Sequence, residues 1–206
     1  MKVFIVCSSY SYEQMFLEAG YEITQDLFKA DVVCFTGGSD VSPTLYGEIR
    51  HPLTHSDEAR DLYEVGVYLK AQRLKKVCVG ICRGGQFLNV VNGGGLYQHV
   101  EGHAIAGTHE AATYLGDKIQ VSSTHHQMMI PHEDAELLLH SDLGSLKVVL
   151  EEGGFETEKS STSDAEALYY RNTDTFCYQP HPEFVGVKEC RDFFFDCLGK
   201  VLKGAI

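Results

Sequence analysis

A cysteine stands between glycines, directly after a run of small apolar residues, in the segment Val77-Cys-Val-Gly-Ile-Cys-Arg-Gly-Gly-Gln86. If this run is a strand and a helix follows it, Gly80 and Gly84 permit a sharp turn that a Cβ would obstruct. Cys82 would then lie at the strand end, where the N–H groups at the helix start favour a thiolate. The Arg83 N–H could donate to a developing oxyanion. The segment therefore fits a cysteine nucleophile, although a turn with a buried core cysteine gives the same pattern.

A cysteine nucleophile needs a base, and one of the ten histidines lies in a suitable context. His181 stands between Pro180 and Pro182, which restrict the backbone on both sides. In an extended segment residues 181 and 183 project to the same side, so the Glu183 carboxylate could orient the imidazole. The sequence thus offers Cys82, His181 and Glu183 as a triad. Taken alone, Pro-His-Pro is more often an ordinary rigid turn.

Apolar runs of strand length would position these residues. The runs Lys2–Cys7, Asp31–Thr36 and Lys76–Ile81 suit strands that are covered on both faces. Helical patterns lie between and after them, notably Ala59–Leu74 and about Gly84–Val91. This alternation predicts a parallel sheet with helices on both sides and a ligand site beyond the carboxyl ends of the strands. The predicted buried face of the first helix comprises Leu62, Val65, Leu69 and Leu74.

The second half of the chain has shorter and partly alternating apolar patterns, which predict a mixed or antiparallel extension. The polar segment Glu151–Ala165 is predicted to be an exposed hairpin or loop. Val187–Leu202 carries one apolar helical stripe, so this helix is expected to dock back on the sheet. The predicted strands of this half are Ile119–Ser122, Leu146–Leu150, Ala167–Arg171 and Thr175–Tyr178.

Composition narrows the class of protein. The 206 residues fit one domain, residues 1–206, with a continuous core. A formal net charge of −12 without a basic stripe argues against nucleic acid as a partner. The N-terminal apolar stretch is too short for a signal peptide or a membrane span, so we expect a cytoplasmic protein that does not bind membranes. Seven cysteines without CxxC spacing are expected to be free and mostly buried.

Five segments of the chain carry recognisable motifs in a fixed order. They are Phe35-Thr-Gly-Gly-Ser-Asp-Val-Ser-Pro43 with Leu45-Tyr-Gly-Glu48, Arg60-Asp61-x-x-Glu64, Gly80-Ile-Cys-Arg-Gly-Gly-Gln86 continuing to Gln98, Val121-Ser-Ser-Thr-His-His-Gln127, and Gln179-Pro-His-Pro-Glu183. Together they resemble the class I glutamine amidotransferase superfamily. Within it they are most similar to the γ-glutamyl hydrolase-like branch, which includes γ-glutamyl-γ-aminobutyrate hydrolases.

The resemblance implies an α/β, flavodoxin-like, three-layer sandwich with a mostly parallel central sheet. It also implies that Cys82 is the nucleophile, His181 the base and Glu183 its orienting carboxylate, with an oxyanion hole at Gly38 and Arg83. Residues expected near a γ-glutamyl substrate are Gly37, Gln86, Ser123, Thr124, His125, His126 and Gln127.

The implied activity is cysteine-dependent hydrolysis of a γ-glutamyl amide bond through a thioester, with no metal or organic cofactor. One alternative is a glutaminase subunit that delivers ammonia to a separate synthetase. Another is a non-catalytic module that binds a glutamine-like ligand. The sequence leaves open the leaving amine and whether the chain forms a homodimer.

Three positions depart from the motifs of this branch. Pro180 replaces the usual aromatic residue before the histidine and removes one N–H donor. Ser122 replaces an asparagine, and Gly85 replaces a bulkier residue. We expect the glycine to loosen the packing beneath the Cys82 turn.

The remaining histidines do not predict a metal site. His99, His103 and His109 are scattered, and His125 is followed directly by His126. No H-E-x-x-H or Cys/His spacing of a zinc site accompanies them. Because the resemblance places His125 and His126 in the substrate pocket, no metal ligands are expected from the sequence.

Overall fold

A computed structural model describes residues 1–142, 146–151, 154–159 and 163–206. Within these ranges the four α-helices are α1 (Tyr10–Glu18), α2 (Glu58–Arg73), α3 (Arg83–Val91) and α4 (Lys188–Leu202). The fourteen strands described are β1 (Lys2–Val6), β2 (Glu22–Ile23), β3 (Val32–Phe35), β4 (Val77–Ile81), β5 (Gly95–Tyr97), β6 (His99–Val100), β7 (Ala104–Thr113), β8 (Lys118–Thr124), β9 (Met128–Ile130), β10 (Glu136–Ser141), β11 (Leu146–Glu151), β12 (Gly154–Lys159), β13 (Asp164–Tyr170) and β14 (Thr175–Tyr178).

One mixed sheet forms the centre of the molecule. Its parallel part has the order β2-β1-β3-β4-β14. Strands β13, β10, β7 and β8 continue this sheet in antiparallel orientation, and β9 with β5 branches from β13. Strands β12, β11 and β6 make a separate small sheet. The predicted parallel core with an antiparallel extension is confirmed.

Side chains of the parallel strands alternate between two hydrophobic cores, one on each face of the sheet. Val32 and Cys34 of β3 belong to the core that contains α1 and α4. Val33 and Phe35 belong to the core that contains α2 and α3. All four side chains are completely buried, as expected for a strand covered on both faces. Helices therefore cover both sides of the sheet, which gives the predicted three layers.

Helix α4 docks on the sheet through the predicted stripe. The centroid of the Phe194 ring lies 5.7 Å from that of the Phe176 ring and 5.4 Å from that of the Tyr178 ring. Such aromatic pairs stabilise a core beyond the area that they bury. They fix β14, the strand that leads directly to His181. The residues of α4 that are buried are Cys190, Phe194, Cys197, Leu198 and Val201.

The predicted buried face of α2 is wrong. Leu62 is 71% exposed and Leu69 is 51% exposed, whereas Val65 and Leu74 are only partly buried. The core-facing side of this helix carries two carboxylates, which pair with a buried arginine described below. Hydrophobic periodicity misses such a helix because it assigns charged residues to solvent. The residues of α2 that are buried are Asp61, Glu64, Tyr68 and Ala71.

The second half holds more strands than the sequence patterns predicted. The long strand β7 was not predicted, because its mixture of Ala, Gly, Thr and His gives no clear period. Within Glu151–Ala165, β12 pairs with β11 in antiparallel orientation, and residues 152–153 and 160–162 lie outside the described residues. The seven cysteines are free, and all except Cys7 are buried. In the described ranges, no helix combines the length and apolar character needed to cross a bilayer.

Candidate active site

Cys82 occupies a strained turn between β4 and α3. Its backbone has φ 52° and ψ −115°, a region that residues with a side chain rarely adopt. The Cys82 N–H donates to Tyr178 O at 2.7 Å, and the Cys82 carbonyl accepts the Gln86 N–H at 3.0 Å. These hydrogen bonds to β14 and α3 keep the Cys82 backbone in its strained conformation. The Cys82 side chain is at the N-terminus of α3.

The glycines around Cys82 are required by close backbone contacts. A Cβ on Gly80 would lie 2.2 Å from Gly84 O, and one on Gly84 would lie 2.1 Å from Phe35 O. A Cβ on Gly85 would lie 2.9 Å from both Tyr178 N and Tyr178 O. The expectation that Gly85 loosens the packing is therefore wrong, because this glycine lets α3 pack directly on the β14 backbone.

His181 follows β14 and is held on several sides. Its Nδ1 lies 2.6 Å from Glu183 Oε1, and Glu183 is buried. The His181 N–H donates to Ser122 Oγ at 2.7 Å, so the residue that replaces the usual asparagine anchors the histidine backbone. The Phe184 ring stacks on the imidazole with 4.5 Å between ring centroids. The structure therefore orients the His181 imidazole through both its ring and its backbone.

Cys82 and His181 face the same small space beside Gly37. A Cβ placed on Gly37 would lie 3.2 Å from His181 Cε1 and 3.7 Å from Cys82 Cβ. Burial alone would lower the pKa of His181, but the neighbouring Cys82 and Glu183 raise it to about 10. The structure thus brings together the three residues of the predicted triad, at the carboxyl ends of β4 and β14.

Two backbone N–H groups remain available next to Cys82. Arg83 is the first residue of α3, so its N–H has no intrahelical acceptor. Among the described residues no acceptor is found for the Gly38 N–H, whereas the Gly37 N–H donates to the Tyr12 hydroxyl at 3.0 Å. Gly38 has φ +148°, a conformation that favours glycine. The arrangement matches the expected oxyanion donors at Gly38 and Arg83, while Gly37 is engaged by a tyrosine that the sequence did not indicate.

A cavity of about 230 Å³ opens in front of Cys82. Of the residues expected near the substrate, Gly37 and Ser123 do not line it, and the buried Ser123 hydroxyl donates to His103 O below the pocket wall. Gln86 lines the cavity, but its Nε2 donates to Gln127 O and Gln179 Oε1 at 3.1 and 3.0 Å. The lining residues are Gly38, Ser39, Asp40, His55, Cys82, Arg83, Gln86, Thr124, His125, His126 and Gln127.

Asp40 and His126 form a hydrogen-bonded pair in the cavity wall, and sequence reasoning named only His126 of the two. His126 Nε2 lies 3.0 Å from Asp40 Oδ1, and this hydrogen bond raises the pKa of His126 above its ordinary value. Asp40 Oδ2 accepts the His55 N–H at 2.7 Å. The available signal was the position of Asp40 in a polar loop directly after a buried strand. By contrast, burial lowers the pKa of His125 to about 4, so that this neighbouring side chain is neutral.

Arg60 of α2 holds the loop that carries Gly37 and Gly38. Its Nη1 donates to Gly37 O at 3.0 Å and its Nη2 to Thr36 O at 2.9 Å. Its Nε donates to Glu64 Oε1 at 2.8 Å. The arginine therefore fixes the backbone of the loop that carries Gly37 and Gly38, and it is itself fixed by a carboxylate one helical turn away.

The Arg83 side chain points away from the cavity into the same charged network. Its guanidinium is buried and pairs with Glu64 and Asp61. Burial and the neighbouring Arg60 charge lower the pKa of Arg83 to about 10, although Asp61 opposes this shift. Asp61 Oδ2 also accepts the Ser42 N–H at 3.0 Å. The Arg60-Asp61-x-x-Glu64 motif thus connects the Gly37-Gly38 loop to the Cys82 turn, a contact that the sequence did not reveal.

Comparisons with known proteins agree with this architecture. A family model described as Peptidase C26 matches residues 16–137, a range that includes Cys82 and ends before His181. A curated relative from Lactococcus lactis subsp. cremoris, a candidate glutamine amidotransferase-like protein called YvdE homolog, is 34% identical over 48% of this chain and 63% of its own length. The chain spans between 50% and 63% of the first three curated relatives that it matches.

Two solved structures share the fold at low sequence identity. A glutamine amidotransferase from Thermotoga maritima gives a TM-score of 0.61 at 15% identity and covers 99% of this chain and 84% of its own. A candidate GMP synthase subunit from Thermoplasma acidophilum gives a TM-score of 0.62 at 16% identity, over 99% of this chain and 94% of its own. The predicted flavodoxin-like α/β fold is confirmed.

Proposed function

Because the chain belongs to the Peptidase C26 family of the class I glutamine amidotransferase superfamily, we propose that it hydrolyses a γ-glutamyl amide bond. In this proposal Cys82 is the nucleophile, His181 the general acid and base, and Glu183 the carboxylate that orients the histidine. The substrate is glutamine or a γ-glutamyl amine, and the products are glutamate and ammonia or an amine.

One observation carries this proposal. A cysteine in a strained turn at a helix N-terminus faces an imidazole whose Nδ1 lies 2.6 Å from a buried carboxylate. A structural turn needs neither the strain at Cys82 nor the buried acid behind His181. Both features are costly unless they serve chemistry.

The first half of the reaction forms a thioester. The Cys82 thiolate attacks the γ-carbonyl carbon, and the carbonyl oxygen becomes an oxyanion that the Gly38 and Arg83 N–H groups stabilise. A pKa of about 10 keeps His181 protonated at neutral pH, so it can donate its proton to the departing nitrogen. The C–N bond breaks, the amine or ammonia leaves, and the γ-glutamyl group stays bonded to the Cys82 sulfur.

The second half hydrolyses that thioester. His181, which has given up its proton, accepts one from a water molecule as the water oxygen attacks the same carbon. The C–S bond breaks, glutamate leaves, and the thiolate and the protonated imidazole are restored. The Glu183 carboxylate stabilises the imidazolium in both halves without itself moving a proton.

We place the amino-acid end of the substrate against Asp40 and His126. An α-ammonium group would face the Asp40 carboxylate, and an α-carboxylate would face a protonated His126. The two side chains are 3.0 Å apart in the cavity wall, which suits the spacing of the two charged groups on one carbon. The cavity of about 230 Å³ is small, so we expect a compact leaving group.

The second candidate function is delivery of ammonia to a separate synthetase. The solved neighbour described as a GMP synthase subunit supports it, because it covers 99% of this chain with the same fold. The chemistry at Cys82 would be the same, and the difference would lie in whether turnover needs a partner. The third, a non-catalytic binding module, would leave Cys82 unreactive.

The test measures glutamate release from glutamine and from a panel of γ-glutamyl amines. We expect release from at least one of them, and a loss of at least about 10⁴-fold in kcat in Cys82→Ser. Glu183→Gln should be about 10²-fold less damaging, because an orienting residue contributes less than the nucleophile. Equal rates for wild type and Cys82→Ser would refute the mechanism.

A second measurement separates the alternatives when no substrate reacts. A glutamine-like chloroketone that alkylates Cys82 would indicate a competent site that waits for a synthetase partner. If Cys82 resists this reagent while iodoacetamide modifies the exposed Cys7, the chain would be a binding module.

A further inference from the structure

Behind the cavity wall, three of the buried polar atoms that lack a hydrogen-bond partner within the described residues lie close together. They are His103 Nδ1, His125 Nε2 and Glu166 Oε2. His125 Nε2 lies 3.9 Å from Glu166 Oε2, and one ligand atom from each residue falls within 4.8 Å of the other two. Buried polar atoms are normally paired, so a converging group of unpaired ones indicates a missing partner.

The opposite nitrogen of each histidine has an acceptor. His103 Nε2 lies 2.9 Å from Asp164 Oδ2, and His125 Nδ1 lies 3.0 Å from Gln127 O. In a neutral imidazole the nitrogen that faces an acceptor carries the proton. In that tautomer the other nitrogen of each ring presents a lone pair toward Glu166, which itself presents an oxygen. One bound cation would satisfy all three of these groups.

Glu166 is oriented in the same way. Its Oε1 accepts hydrogen bonds from Ser141 Oγ at 2.9 Å and lies 2.8 Å from His109 Nε2. Its other oxygen, Oε2, is left facing His125. Asp164, which holds His103, lies 2.6 Å from Lys147 Nζ. Each of the three inward-facing groups is thus fixed by an outer partner, an arrangement that metal sites use to orient their ligands.

We propose that this cluster binds one divalent transition-metal ion of the Zn²⁺ class. The protein ligands are His103 Nδ1, His125 Nε2 and the Glu166 carboxylate. Two imidazoles and one carboxylate suit Zn²⁺ and its neighbours better than Mg²⁺ or Ca²⁺, which prefer oxygen ligands alone. His125 also lines the cavity, so the cluster lies directly behind the cavity wall.

The site joins three parts of the fold. His103 precedes β7, His125 follows β8, and Glu166 lies in β13. A bound ion would fix the wall formed by residues 124–127 to the central sheet. The proposed hydrolysis requires no metal, so the two proposals stand or fall separately.

The test titrates metal-stripped protein with Co²⁺ and then displaces it with Zn²⁺. We use the Cys7→Ser/Cys82→Ser variant, which removes the exposed thiol and the one in the cavity, and therefore lacks the proposed activity. We expect one Co²⁺ per chain with the visible absorption of a four-coordinate site. X-ray absorption should show nitrogen and oxygen ligands at about 2.0 Å with imidazole scattering, and no sulfur at about 2.3 Å.

Matched variants locate the site. Glu166→Gln keeps a carbonyl oxygen for His109 and Ser141 and should weaken binding at least about 100-fold. His132→Gln removes a partly exposed histidine outside the cluster and should leave the affinity unchanged. If Glu166→Gln does not fold, the X-ray absorption spectrum of the Cys7→Ser/Cys82→Ser variant decides which atoms bind the metal. Absence of Co²⁺ binding, sulfur coordination, or equal affinity in a folded Glu166→Gln would overturn the proposal.

Discussion

Two buried groups of charged and titratable side chains flank the cavity, and they differ in how completely their charges are paired. On one side Arg60 and Arg83 share the carboxylates Asp61 and Glu64, so that every charged group has an opposite partner. On the other side His103, His125 and Glu166 turn unpaired atoms toward one another. The first group fixes the backbone around the cysteine, whereas the second is the cluster that we propose to bind a metal ion.

Burial of charged side chains serves a different purpose in each of these two groups. Charges are costly to bury, and a closed network offsets that cost only while all partners are present. Such a network makes a rigid support for the Gly37-Gly38 loop and the Cys82 turn. In an open cluster, the cost of burying the unpaired polar atoms is offset only when a ligand binds. Such a cluster therefore indicates ligand binding rather than support of the backbone.

The largest effect is expected where the closed network is broken. Glu64→Gln leaves Arg83 and Arg60 without their shared carboxylate and should lower the free energy of unfolding by about 3–5 kcal/mol. Urea denaturation measures this change. Leu62→Ala on the same helix is the control, and because Leu62 is 71% exposed it should change stability by less than about 0.5 kcal/mol. Similar losses in the two variants would mean that the carboxylate face is not the supporting one.

The packing of the Cys82 turn gives the next effect. Gly85→Ala places a Cβ 2.9 Å from Tyr178 N and O, and the resulting strain should cost about 1–3 kcal/mol. Gly66→Ala in α2 is its matched control. A Cβ there meets nothing within 4 Å, so we expect a gain of about 0.5–1 kcal/mol from helix propensity. Thermal unfolding of both variants tests the prediction, which fails if Gly85→Ala is as stable as wild type.

The open cluster should respond to its outer partners more gently. Ser141→Ala removes one of the two groups that hold Glu166 and should weaken Co²⁺ binding about 10-fold. The stability of the metal-free protein serves as a second readout, since a purely structural serine would change stability and leave the metal affinity unaltered.

The smallest effect concerns pH. The hydrogen bond to Asp40 raises the pKa of His126, so its charge persists at pH values where a free imidazole with a pKa of 6.5 has lost its proton. KM for glutamine or another reactive γ-glutamyl substrate should stay low through that range and rise about fivefold when His126 deprotonates at higher pH. In His126→Gln, KM should already be raised at neutral pH. It should also no longer rise with pH. An unchanged pH profile would remove His126 from the substrate site.

Local patterns predicted the strands and helices that carry the site with small shifts at their ends. The strand over Thr175–Tyr178 has the predicted bounds, and the apolar run before Cys82 begins one residue later than predicted. These elements were predictable because continuous apolar runs and glycines reflect short-range constraints. The buried face of α2 was not predictable, because it is buried through ion pairs with Arg83, which belongs to another helix.

The order of the motifs, the parallel core and the three residues proposed as the triad could be predicted from the sequence, because each depends on neighbours along the chain. The folded chain was needed to show that the Tyr12 hydroxyl accepts the Gly37 N–H, that Asp40 and His126 lie in one wall, and that His103, His125 and Glu166 converge. Each of these contacts joins residues that are distant in sequence. Residue spacing carries no information about such contacts until the strands are paired.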